Sequence, residues 1–203
     1  MRNLAVACLA AVLFSFVAAA SVEATPILKY QAVLDGNQRV PPTGSLATGF
    51  ATVTVDLGSD LLTFDLTFNN LSGNPPGLHI HCCAAAGANG TLAINFQSGL
   101  PASTSGAYLQ TVNLTLASVY NSAFLTAHGG TAAQAKADLL AGLAGGLAYV
   151  DIPDAQFSTG EIRGQLSPVP EPATMLLFGS GLVGAVWHRR SQRAPRQKPR
   201  TQS

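Results

Sequence analysis

The sequence predicts a mainly β domain: an antiparallel β-sandwich or flattened Greek-key-like barrel, with one helix inserted near residues 131–143 and a hydrophobic helix at each end of the chain. Three observations carry this reading. Apolar and polar residues alternate with period two in several short runs, the pattern of half-buried strands. Gly, Pro, Asn and Ser separate these runs every ten or so residues, a spacing that suits sandwiches and barrels. Long runs of purely apolar and small residues lie near the two termini.

The amino-terminal run is an export signal. Arg2 supplies a short positive region, and Leu4 to Ala20 are apolar or small. Ala18-Ala19-Ala20 and Val22-Glu23-Ala24 both satisfy the small-x-small cleavage rule. A cut after Ala24 is preferred, making 1–24 the signal peptide, with Ala20 as the second choice. Cys8 leaves with the signal.

Strands are expected at Leu28–Leu34, Phe50–Val55, Leu62–Phe68, Leu78–His81, Leu92–Phe96, Leu109–Leu116, Leu147–Ile152 and Glu161–Leu166. The third is the clearest: Leu62, Phe64, Leu66 and Phe68 alternate with Thr63, Asp65 and Thr67. The helix begins at Thr131, a good N-cap with Gln134 three residues on. It closes at Gly145-Gly146 after Leu139, Leu140 and Leu143. The domain spans 25–167, long enough for a real core.

Residues 168–203 form a second address. Pro168, Pro170 and Pro172 precede an apolar stretch, 173–187, and a basic tail follows: Arg189, Arg190, Arg193, Arg196, Lys198 and Arg200. Fifteen apolar residues make a short transmembrane helix, against the ~20 of a comfortable span. The basic tail stays cytoplasmic, which places the body outside. The layout resembles the PEP-CTERM sorting signal of Gram-negative bacteria, with Pro170-Glu171-Pro172 as its processing motif. The resemblance implies three things: export machinery and an exosortase as partners, transient anchoring in the inner membrane with the body periplasmic, and a final place on the outer surface or in the extracellular matrix. "GSGLVG" (Gly179–Gly184) matches a dinucleotide-binding fingerprint. It lacks the preceding strand and the acid about 20 residues on, so it is not read as a cofactor site.

The body carries Lys29, Arg39, Lys136 and Arg163 against Asp35, Asp56, Asp60, Asp65, Asp138, Asp151, Asp154 and Glu161, a net of −4. An acidic body without a basic patch argues against nucleic acid as a partner. Its motifs run in order: "LDGNQRVPP" (Leu34–Pro42), "GLHIH" (Gly77–His81), "GANG" (Gly87–Gly90), "GLAYVDI" (Gly146–Ile152) and "GEIRGQL" (Gly160–Leu166). Together they resemble the CHRD domain, a module named from chordin and widespread in bacterial secreted proteins. The chain departs from that pattern at Arg39, where the family usually has Glu. It departs again at Pro153, where the family's "YVNIHT" has His.

"HIHCC" (His79–Cys83) is the densest group of potential ligands. On a persisting strand His79, His81 and Cys83 share one face and Ile80 and Cys82 the other. Two imidazoles so placed can hold one ion, an arrangement similar to that of copper–zinc superoxide dismutases, but a dependable site needs more ligands. Pro153 supplies none, and His128 is the remaining body histidine. A structural His pair bonded to loop backbone is preferred, with His79, His81 and Cys83 as an alternative copper or zinc site. For Cys82 and Cys83 the choices are a vicinal disulfide, an intermolecular bridge, metal ligation or free thiols; the turn-like "CCAAAGANG" favours the vicinal bridge or a capped pair. Glu161 and Arg163 should share a strand face and pair as ions. Asn70, Asn89 and Asn113 fit N-glycosylation acceptors, moot under a bacterial address.

The expected function is that of an exported, non-catalytic surface protein of the envelope or exopolysaccharide matrix, with extracellular polysaccharide as a further partner and no cofactor. The rival is a periplasmic metal-binding protein or metalloenzyme. Mass spectrometry of the exported chain should find Thr25 or Ser21 at its amino terminus; an intact Met1 or Arg2 would refute the export signal.

Overall fold

Nine residues of strict alternation, Ile27–Asp35 (β1), organise the computed structural model, which describes residues 25–170. Tyr30, Ala32 and Leu34 are buried while Lys29, Gln31 and Val33 face solvent. Two further nine-residue strands, Thr48–Asp56 (β2) and Leu61–Asn69 (β3), alternate in the same way. They are followed by Leu78–Cys82 (β4), Thr91–Phe96 (β5) and Gly106–Asn113 (β6). Two helices come next, Ser122–Ala127 (α1) and Ala132–Ala144 (α2), and then Tyr149–Ile152 (β7), Ile162–Gln165 (β8) and Ser167–Pro168 (β9).

All pairings are antiparallel and join one sheet in the order β5-β4-β7-β8-β1-β2-β3-β6, with β9 also on β1. The sheet is curled into a half-barrel rather than split into the two layers of a sandwich. Strand β1 joins its two halves: β2 takes one of its edges along all nine residues, while β8 and β9 share the other. The curl brings the two ends of the sheet face to face. Phe64 on β3 stacks on Phe96 of β5, with ring centroids 4.8 Å apart, and Tyr108 of β6 meets both rings edge-on at 6.1 Å. The core lies inside this curve, with Phe124, Leu139 and Leu143 packed onto it from the helices.

Local chemistry explains where element ends differ from expectation. The strand expected to reach Leu116 stops at Asn113, whose side-chain oxygen accepts from the Thr115 amide and hydroxyl and turns the chain. Leu147 lies outside β7 because its amide still bonds to Gly142 O in the close of α2. The last expected strand divides at Leu166, whose amide turns to Ala148 O. Two helices form where one was expected: Asn121 caps α1 through the Ala123 amide, and Thr131 caps α2 through the Gln134 amide. Among the described residues, no helix is long and apolar enough to cross a membrane. The signal peptide, the 173–187 span and Glu171 and Pro172 of the sorting motif lie outside the described residues.

Because Phe64 closes the curl between the sheet's two ends, Phe64→Ala should cost about 3–5 kcal/mol. Urea denaturation followed by circular dichroism checks this; a loss under 1 kcal/mol would show that the aromatic contact does not hold the curl.

Candidate functional site

The "HIHCC" strand is β4, and its neighbours decide what its histidines meet. Leu78, Ile80 and Cys82 point into the core, leaving His79 and His81 half-buried on the opposite face. There β4 pairs with β7, so His79 lies opposite Asp151 and His81 opposite Tyr149. His81 stacks on Tyr149 at 4.8 Å, almost parallel, and the Arg163 guanidinium covers the Tyr149 ring at 3.5 Å. The Tyr149 hydroxyl accepts from the Gly90 amide at 3.1 Å. The Nδ1 of His81 lies 3.0 Å from Gly90 O. A carbonyl only accepts, so Nδ1 carries the proton and Nε2 is left as a bare acceptor.

Arg39 reaches this face from the loop after β1. It is only 6% exposed and donates from Nη1 to Asp151 Oδ2 at 2.6 Å and from Nη2 to Thr159 O at 2.5 Å. Asp151, 1% exposed, also has its Oδ2 3.8 Å from His81 Nε2. The approach depends on Gly160, at φ +125°: a Cβ there would collide with the Asp151 carboxylate and with Arg39 Cζ. Replacing both ions with apolar groups would change stability little, whereas removing one strands the other and costs about 3–5 kcal/mol. Together these side chains line a cleft of about 480 Å³, bordered by Val40, Pro41, Leu92, Asn89, Ser158 and Thr159.

Burial dominates the acid–base behaviour of the cleft. It pushes the His79 imidazole down to about 4, helped by positive charge at His81 and Arg39, and it lowers His81 as well. Both rings are neutral at pH 7. Burial raises Asp151 to about 7, against the pull of Arg39 and Arg163 in the other direction.

Cys83 does not join the histidines. The strand ends at Cys82, and the two cysteines are bonded to each other, with Cys83 Sγ lying 3.8 Å from Asp138 O. The bridge packs on α2 so closely that a Cβ at Gly142 would fall on Cys82 Sγ. His128 is also elsewhere, its Nδ1 2.9 Å from Asp138 Oδ2. Among the described residues, no group of three His, Cys, Asp or Glu side chains is placed to hold a metal ion.

The expected Glu161–Arg163 ion pair does not form. Glu161 precedes β8, so the period-two rule does not reach it. Its carboxylate accepts from the Ser45 hydroxyl and from the Ser72 amide and hydroxyl, while Arg163 donates to Ala88 O and Gln165 Oε1. Sequence reading missed Arg39 and Asp151 as partners because 112 residues separate them. A signal was nevertheless present: Arg39 replaces the family's Glu, and Asp151 stands at the Asn of "YVNIHT".

A curled antiparallel sheet with a half-buried polar cleft defines the class as a small β-domain. The sequence matches the CHRD domain over residues 30–166, and the chain belongs to that family. A PEP-CTERM protein-sorting motif matches residues 168–190, which implies export, membrane-anchored sorting and exosortase-related processing. No curated protein and no solved structure matches the chain.

The shifted groups predict an acid response. His79 titrates at about 4 when folded and near 6.5 when unfolded, so the unfolded state binds more protons between these values and stability falls as pH drops through them. Asp151 opposes this, since its raised carboxyl takes up a proton in the folded state below about pH 7. Asp151→Asn should therefore steepen the fall in melting temperature from pH 7 to pH 4.5, and His79→Phe should flatten or reverse it. Calorimetric melts at both pH values decide; equal slopes in all three proteins would contradict the assignment.

Proposed function

We propose that this is a non-catalytic CHRD-domain protein of the cell envelope or exopolysaccharide matrix, released to the outer surface by exosortase processing. One observation carries the reading: the folded domain runs straight into the sorting motif. Pro168 pairs with Tyr30 and the Val169 amide donates to Lys29 O at 2.8 Å, and Pro170-Glu171-Pro172 begins at the next residue. Processing beyond that point leaves every described strand intact.

The non-catalytic part is supported by how the cleft spends its reactive groups. Arg39 and Asp151 neutralise each other, and His81 is tied to a loop carbonyl. The bond between Cys82 and Cys83 supports the structural reading of the histidines over the copper or zinc alternative.

A chain ending after Val169 keeps β9 and should melt within about 2 °C of the intact domain, since surface changes outside the core cost little. It should fail to reach the surface in cell fractionation. Normal surface localisation without residues 170–203 would show that the address lies elsewhere.

A further inference from the structure

We propose that the cleft between β4, β7 and the Arg39 loop binds a neutral, polyhydroxylated ligand, a pyranose sugar presenting adjacent hydroxyls. Two buried side chains at its floor are left incomplete. Asp151 Oδ1 and Arg39 Nε have no partner, nor does His81 Nε2 beside them. An unpaired buried polar atom is costly, and a ligand that completes it relieves that cost.

The pattern of free groups selects the chemistry. Asp151 Oδ1 and the bare Nε2 of His81 accept, and Arg39 Nε donates. A hydroxyl does both, and two neighbouring hydroxyls fit two acceptors and one donor. An anion would meet the carboxylate and the imidazole lone pair. A cation would meet Arg39, which already holds the carboxylate at 2.6 Å. An apolar molecule would leave all three groups unsatisfied.

The walls agree with a sugar ring. Val40, Pro41 and Leu92 supply apolar lining for its C–H face, and the exposed Ser158 and Thr159 add hydroxyls. The volume of about 480 Å³ lies within the range of small-molecule sites.

The inference goes beyond the proposed surface role by naming a ligand class, and its test is carried out in solution, so the two can fail independently. The purified chain is titrated calorimetrically with methyl glycosides of glucose, galactose and mannose, and with dextran as a neutral polymer. At least one glycoside should bind saturably at one site per chain. Ser158→Trp, which fills the rim, and His79→Phe, which removes a polar wall, should each weaken it at least tenfold while the fold survives by circular dichroism. Competition by dextran would identify a polymer-borne sugar as the source, and glycoside binding without it a free one. Absence of saturable binding by every probe would overturn the proposal. So would binding unchanged in both variants, or stoichiometric zinc or copper that blocks the cleft and is lost on His79→Phe.

Discussion

Strand β1 is paired along both edges, and the rest of the domain depends on that constraint. Carrying β2 on one side and β8 and β9 on the other, it joins the β5-β4-β7-β8 half to the β2-β3-β6 half in one continuous sheet. Curling lets that sheet bury its apolar face, with the helices packed onto it. The close approach is visible at Gly164 of β8, where a Cβ would collide with Val33 O. Val33 itself faces solvent, so it is its backbone that sets the spacing.

The cleft is a consequence of the same junction. Asp35 ends β1 opposite Arg163, and its Oδ1 accepts from the Asn37 and Gln38 amides to form a tight turn. That turn directs Arg39 over β7, where it meets Asp151. The result is a polar patch enclosed on the sheet face away from the core, with two arginines and one aspartate held in a place where ions are costly. Desolvation and pairing pull Asp151 in opposite directions, while the imidazoles respond by staying neutral.

Export and architecture fit together along the chain. The CHRD match ends at 166 and the sorting motif match begins at 168, with β9 spanning the join. The final pairing onto β1 keeps the domain's own end ordered up to the point where the sorting segment takes over.

The strand positions were legible because period-two alternation reports directly on which face of a strand is buried: Leu62, Phe64, Leu66 and Phe68 are all core residues, as their spacing requires. The caps of α2 were legible for a similar reason, since Thr131 acts on an amide only three residues away. The helix α1 was not, being six residues long and stabilised by packing of Phe124 rather than by its pattern. The sequence by itself determined the β class, the family and the sorting motif, and also that His79 and His81 share a face. Only the tertiary structure decided that the sheet is single and curled, and that Arg39 finds Asp151 while Glu161 turns to Ser45 and Ser72. Alternation and capping are local, acting within a few residues. Sheet closure and buried ion pairing depend on which distant segments the fold brings into contact, and one-dimensional spacing carries no record of that choice.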